Sequence, residues 1–203
     1  MNVFSLHFPK TGGTSFRASL EEIYGEYFLP YYPNALDQGY ETHDCFKGYR
    51  CVHGHLSLDK YLKFFEGIHL ITWLRDSVDR TISLYQHIKK QPHSENWLHQ
   101  KVVNEKLSFY EFCEIEINHN QLFSWIGDRN PEDFQFIGFL ETANSSIVRC
   151  AAALGWAYVP KFPKVNETNK GNFVKVSSNE REFLKSKNKE ELLWIKKAQK
   201  IFQ

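Results

Sequence analysis

The chain has 203 residues, of which 42% are hydrophobic and 16% aromatic, and its formal net charge is +1 at pH 7. This length and composition argue against intrinsic disorder and predict one folded domain over residues 1–203. The balanced charge gives no overall field for nucleic acid, and no apolar run approaches the roughly 20 residues that span a bilayer. We therefore expect neither a nucleic-acid partner nor a transmembrane segment.

An apolar run at residues 3–8 predicts a buried first strand, and a loop rich in glycine and hydroxyl groups follows it. This loop reads Pro-Lys-Thr-Gly-Gly-Thr-Ser over residues 9–15, and a helical apolar pattern continues over residues 14–24. A strand, a Gly-rich turn and a helix in this order are typical of a phosphate-binding loop, because the backbone amides point at the anion. Because the lysine precedes the glycines, the loop does not match the Walker A pattern. The predicted phosphate-contacting residues are Lys10, Thr11, Gly12, Gly13, Thr14, Ser15 and Phe16.

The rest of the chain alternates between predicted strands and predicted helices. Further strand candidates are residues 49–54, 68–74 and 134–139. Helices are predicted after the capping residues Ser57, Asp76 and Ser108, and at residues 118–126, 145–154 and 179–202.

This alternation predicts an α/β fold with a central parallel sheet that helices cover on both faces. Ligands of such sheets bind where the strands end. Lys10, His55 and Arg75 each follow a predicted strand, so we expect them at the same edge of the sheet. His53 and His55 are two positions apart and share a face if the segment is extended.

Several of these segments resemble motifs of the sulfotransferases that use 3′-phosphoadenosine 5′-phosphosulfate (PAPS). Residues 9–15 resemble the loop that binds the 5′-phosphosulfate. Residues 75–85 resemble the 3′-phosphate element, in which an arginine precedes a serine by eight positions, here Arg75 and Ser83. His53-Gly54-His55 and residues 136–141 resemble elements of the carbohydrate branch, which includes heparan sulfate 2-O-sulfotransferase. The resemblance extends from about residue 3 to residue 155.

The resemblance implies a P-loop-like sulfotransferase fold, with PAPS as the sulfuryl donor and PAP as the product. It implies that Lys10 neutralises the leaving phosphate and that Arg75 and Ser83 hold the 3′-phosphate. It also implies that His55 is the catalytic base and that His53 supports it.

Other implications concern the acceptor and the end of the chain. The acceptor would carry a hydroxyl group, on a carbohydrate or a glycolipid, and no metal would be needed. Lys170 and Gly171 are the nearest match to an Arg-Lys-Gly element that helps to hold the 3′-phosphate. Met1 leads directly into the first strand, without the membrane anchor of Golgi-type members, which indicates a cytoplasmic bacterial enzyme.

Alternative interpretations stay open at this point. The chain could be a P-loop phosphotransferase or nucleotide hydrolase, or a PAP-binding protein without activity. His53 and His55 could be core histidines or ligands of a metal. Arg80 is expected to pair with a nearby surface carboxylate, such as Asp79, and Cys45 could pair with Cys51 in an oxidising compartment.

Overall fold

The structure is a computed structural model, which describes residues 2–33, 43–91, 95–163 and 175–203. Within these residues, parallel strands form one sheet with the order β2-β3-β1-β4-β5, so β1 lies in the middle. Because the strands are parallel, all of them end at one edge of the sheet, here called the carboxyl edge. The strands are β1 (Asn2–Leu6), β2 (Phe28–Pro30), β3 (Cys51–Gly54), β4 (Ile68–Leu74) and β5 (Phe136–Phe139).

Helices cover both faces of this sheet. Helices α1 and α7 pack on one face, here called the α1 face, and α2, α6 and α9 pack on the other, the α9 face. Helices α3, α4, α5 and α8 form a further apolar cluster. The predicted α/β architecture is thus confirmed. The helices are α1 (Gly13–Tyr24), α2 (Leu58–Tyr61), α3 (Ser77–Lys89), α4 (Trp97–Asn104), α5 (Phe109–Glu114), α6 (Phe123–Ile126), α7 (Ala143–Leu154), α8 (Ser178–Lys187) and α9 (Lys189–Phe202).

The side chains of β1 alternate between the two faces. Val3 and Ser5 belong to the α1 face, whereas Phe4 and Leu6 pack on the α9 face, and each is at most 1% exposed. A strand that is buried on both faces is expected in the middle of a parallel sheet. His7, two positions beyond Ser5, continues on the α1 face.

Most predicted helix ends agree with the structure. Asp76 accepts hydrogen bonds from the amides of Val78 and Asp79, and Ser108 forms a capping box with Glu111. Gly155 ends α7 in the left-handed conformation. Each of these signals consists of residues only a few positions apart, which is why the sequence identifies them.

One local prediction is confirmed only in part, and another is wrong. Ser57 precedes α2, but its side chain makes no capping hydrogen bond. Residues 118–126 do not form one helix, because Asn120 has a φ of 45° and interrupts it before α6. The Asn120 side chain instead accepts a hydrogen bond from the amide of Glu191 at the start of α9.

All four cysteines are free. Cys51 lies in the core within β3, and Cys45 is exposed, so the Cys45–Cys51 pair is absent. In the part of the chain that the structure describes, no helix is both long enough and apolar enough to cross a membrane.

Ser77→Pro is expected to stabilise the protein by about 0.4–1 kcal/mol, because proline restricts the unfolded chain. Ser77 is the first residue of α3, where proline is favoured, and its hydroxyl has no hydrogen-bond partner among the described residues. Asp76 already has the extended ψ of 129° that precedes a proline. Urea unfolding measures the change, and a destabilised variant would show that the ring does not fit this buried position.

Candidate active site

Three neighbouring strands bring the predicted site residues to the carboxyl edge. Leu6 of β1 pairs with Gly54 on one side and with Thr72 on the other. Adjacent strands lie about 4.8 Å apart. The segments that carry Lys10, His55 and Arg75 therefore leave the sheet from β1 and its two neighbours, as the sequence predicts.

The loop between β1 and α1 has an unusual backbone. Lys10 has a φ of 69° and Gly12 a φ of 88°, both in the left-handed region. A Cβ atom at Gly12 would lie 2.7 Å from Leu140 Cδ1, so a larger residue is disfavoured by space as well as by conformation. Gly12 is the N-cap of α1, and no side chain caps this end. A helix N-terminus without a side-chain cap is a place where an anion can bind.

The side chains of Thr11 and Phe16 are both engaged within the protein. The Thr11 hydroxyl donates a hydrogen bond of 2.7 Å to the carbonyl of Phe8, and the residue is fully buried, so its side chain holds the loop together rather than a ligand. Phe16 is 1% exposed, and its ring packs on Trp73 at 4.9 Å. Its amide donates to the carbonyl of Gly12, so Phe16 is a core residue beside the loop.

Positive charge accumulates around this loop. Lys10 is partly buried, and its pKa is lowered mainly by that burial and further by the charges of Arg75 and Lys90. Within the described ranges, neither Lys10 nor Arg75 forms an ion pair with an acidic side chain. Uncompensated cations beside a helix N-terminus favour an anionic ligand.

Helix α3 turns the predicted phosphate-binding serine toward the same loop. Ser83, His87 and Lys90 are spaced by four and three positions, so they share one side of the helix. Burial lowers the pKa of His87 to about 4, and the charge of Lys10 contributes to this decrease. Since His87 and Lys90 both interact electrostatically with Lys10, the side of α3 that carries Ser83 lies toward the loop.

The histidines of the His-Gly-His segment differ in accessibility. His53 is 1% exposed, and its Nδ1 forms a 2.8 Å hydrogen bond with the hydroxyl of Ser5 on the neighbouring strand. The His53 side chain is therefore enclosed by the fold, and its expected role is that of a group that supports His55. His55 lies beyond the end of β3 and is exposed. In the described part of the chain no side chain forms a hydrogen bond with its ring, so it is accessible to a substrate.

A third histidine, which neither motif contains, joins this pair. The ring of His7 stacks on that of His53 at 5.0 Å and contacts that of His55 at 4.4 Å, centroid to centroid. Its Nδ1 forms a 2.8 Å hydrogen bond with the hydroxyl of Tyr32, just beyond β2. The sequence gives one signal for His7. It lies two positions after Ser5, so the alternation of an extended strand places both residues on the same face.

Burial keeps all three imidazoles neutral at pH 7. It is the main cause of pKa values of about 2 for His7, about 3 for His53 and about 4 for His55. The charge of Lys10 also lowers the pKa of His55, and neighbouring histidines lower that of His7. Although His55 is exposed, the surrounding protein disfavours its charged form, so it can accept a proton across a wide pH range.

Glu141 and Arg80 have structural contacts. The Asp76 amide donates a 2.9 Å hydrogen bond to Glu141 Oε1, which fixes the turn after Arg75. Arg80 is fully buried and forms an ion pair of 3.6 Å with Glu191 of α9. The expected surface pairing of Arg80 is therefore wrong, and Asp79 pairs with a residue of α8 instead. Lys170 and Gly171 lie outside the described residues.

Comparison with solved structures identifies two similar proteins. A sulfotransferase from Alicyclobacillus acidocaldarius is similar over 98% of this chain and 94% of its own, with a TM-score of 0.52 and 15% sequence identity. Mouse sulfotransferase SULT7A1, crystallised in complex with PAP, matches 94% of this chain and 65% of its own, with a TM-score of 0.45 and 15% identity. No protein-family profile and no curated protein sequence matches the chain. The first likeness establishes a sulfotransferase-like fold.

Proposed function

We propose that this protein is a PAPS-dependent sulfotransferase that transfers a sulfuryl group to an acceptor hydroxyl. The observation that carries the proposal is the convergence of Lys10, Arg75 and the exposed His55 at the carboxyl edge, beside the uncapped start of α1. This arrangement combines an anion site with a neutral base, which are the two elements that transfer to a hydroxyl requires.

Two groups of residues at the candidate site suit the two phosphate-bearing ends of the donor. The amides of Gly13, Thr14 and Ser15, in the first turn of α1, and the Lys10 ammonium would hold the 5′ end. Arg75 and Ser83 would hold the 3′-phosphate, for which a guanidinium is well suited. When bound, PAPS supplies the sulfuryl group and the phosphate that leaves.

The roles of the side chains follow from charge and accessibility. His55 takes the proton of the acceptor hydroxyl as its oxygen bonds to sulfur, and the bond from sulfur to the phosphate oxygen breaks. Lys10 neutralises the negative charge that develops on this phosphate. We propose a carbohydrate or glycolipid as the acceptor, which the His-Gly-His resemblance supports.

PAP binding tests the donor part of this proposal. Isothermal titration calorimetry with PAP, ATP and ADP should show selective binding of PAP, without a requirement for Mg²⁺. Selective binding of ATP with Mg²⁺ would instead favour a phosphotransferase or nucleotide hydrolase. Transfer of radiolabelled sulfate from PAPS to a panel of glycans and glycolipids would then identify the acceptor.

Lys10→Ala and Arg75→Ala are each expected to weaken PAP binding by about 10- to 150-fold, because each removes a charge-assisted contact of about 1.5–3 kcal/mol. Lys89→Ala is the matched control, since Lys89 is exposed near the end of α3 and its ammonium lies 6.0 Å from the ring of Tyr85. Unchanged affinity in both Lys10 and Arg75 variants would contradict the proposed donor site.

A further inference from the structure

His7 is a partly buried histidine beside the candidate site that the proposed function does not use. Its ring contacts the rings of His53 and His55, from β3 and the residue that follows it, and the ring of Tyr32, from the segment after β2. It follows the central strand β1 directly and precedes the loop that carries Lys10. No part of the proposed donor site uses it.

The ring of His7 packs directly against the backbone of Gly13 at the start of α1. A Cβ atom at Gly13 would lie 1.9 Å from Cδ2 and 2.0 Å from Nε2 of His7. The helix can therefore begin here only because residue 13 is glycine. The imidazole is held between Gly13 and the neighbouring rings, so its orientation is set by packing on more than one side.

Tyr32 sets the protonation pattern of the His7 ring. Burial raises the pKa of Tyr32 to about 12, so its hydroxyl keeps its proton at neutral pH. An imidazole nitrogen is a strong acceptor and a phenol a strong donor, so the hydroxyl donates to Nδ1 of His7 and the ring proton stays on Nε2. This hydrogen bond fixes one tautomer and one orientation.

We propose that His7 is a positioning residue for His55: the hydroxyl of Tyr32 fixes the His7 ring, and the His7 ring holds the imidazole of His55 at the carboxyl edge. The catalytic consequence rests on the proposed function, whereas the geometry can be tested in the free protein. Because His7 is neutral, it orients His55 without adding a charge that would repel a proton from it.

Several charged or titratable groups face this cluster. Lys10 from the loop and Arg17 from α1 lower the pKa of His7, and Lys10 also lowers that of His55. Glu21 on α1 acts on Tyr32, and His53 from β3 acts on His7. The experiment therefore changes neutral groups only, so that the charges around His55 stay constant.

Tyr32→Phe tests the proposal because it removes one hydroxyl and keeps the aromatic ring. NMR of ¹⁵N-labelled imidazoles in the free protein should show one His7 tautomer in the wild type and a mixture in the variant. The matched control is Tyr24→Phe, which removes a hydroxyl that accepts a 3.2 Å hydrogen bond from Trp156, near the far end of α1. This control should leave the spectrum of His7 unchanged.

His7→Asn and His7→Ala give the second test. Asparagine retains a polar group near the position of Nδ1, whereas alanine removes the ring and opens the surroundings of His55 to water. We expect the pKa of His55 to rise by about one unit in His7→Ala, toward its ordinary value, and by less in His7→Asn. In sulfuryl transfer, misplacement of the base should lower kcat by up to about 100-fold in His7→Ala, with unchanged PAP affinity.

The outcomes separate this proposal from the proposed function. If the His7 tautomer and the His55 titration are the same in Tyr32→Phe and the wild type, the proposal is overturned, even if His7→Ala fails to fold. If the NMR changes occur but the wild-type protein transfers no sulfuryl group, the positioning geometry stands and the proposed function fails. A loss of kcat in Tyr32→Phe, without loss of PAP affinity, supports both.

Discussion

His55→Ala is expected to lower kcat for sulfuryl transfer by about 10²- to 10⁴-fold, while the affinity for PAP stays unchanged. The reason is that His55 is the exposed imidazole at the carboxyl edge and is neutral at pH 7. The cations proposed to hold the donor lie on other segments, so removal of the imidazole leaves them in place. Steady-state kinetics and calorimetry with PAP measure the two effects separately.

The control for this variant is His69→Ala. His69 lies near the beginning of β4, at the opposite edge of the sheet, and its Nδ1 contacts the side-chain oxygen of Gln135 at 3.1 Å. Its removal should change neither kcat nor PAP affinity. Full activity of His55→Ala on the true acceptor would show that another group takes the proton.

The pH dependence gives an independent check on His55. Its pKa of about 4 is lowered by desolvation beside the neighbouring aromatic rings and by the charge of Lys10, so it becomes protonated only in acidic solution. A protonated base cannot accept a proton, so kcat/KM should remain high below pH 6.5 and fall as the pH approaches about 4. The same acidic limb should be absent from the residual activity of His55→Ala.

The sequence predicted those features of the site that depend on residues close together in the chain. The loop around Lys10 follows directly from its glycines, and the Asp76 cap from its position before α3. The prediction that Lys10, His55 and Arg75 lie at one edge of the sheet depends only on the strands being parallel. The alternation of strands and helices implies a parallel sheet. These inferences did not require knowledge of how helices pack.

Contacts between distant segments were not predictable in this way. His7 forms a hydrogen bond with Tyr32, which follows the edge strand β2, and its ring packs against Gly13, where α1 begins. Phe16 is adjacent to the predicted loop, yet the helical period turns it into the core against Trp73. Proximity in sequence to a motif therefore does not show which way a side chain points.

The buried pair of Arg80 and Glu191 shows a signal that sequence reasoning could have used. Residues 191, 194, 195 and 198 are the buried positions of α9, and the first of them is a glutamate. A carboxylate at a core position of an amphipathic helix indicates a buried partner of opposite charge. Arg80 is that partner, and its guanidinium also lies 4.7 Å from the ring of Phe8.

Glu191→Ala is expected to destabilise the protein by about 3–5 kcal/mol, because it leaves the fully buried guanidinium of Arg80 without a compensating charge. It also removes the acceptor for the Leu122 amide, a bond of 2.9 Å. Urea unfolding measures the loss. Glu190→Ala is the matched control, since this neighbouring glutamate is exposed and should change the free energy of unfolding by less than about 0.5 kcal/mol.

A double variant separates the charge effect from the loss of packing. Nε and Nη2 of Arg80 and Oε1 of Glu191 lack hydrogen-bond partners among the described residues, so the pair is incompletely satisfied. Arg80→Met with Glu191→Leu removes both charges and keeps apolar volume, and it should recover most of the stability that Glu191→Ala loses. If the double variant were as unstable as Glu191→Ala, the ion pair itself would make the main stabilising contact between α3 and α9. Recovery would show that the carboxylate is needed mainly because Arg80 is buried.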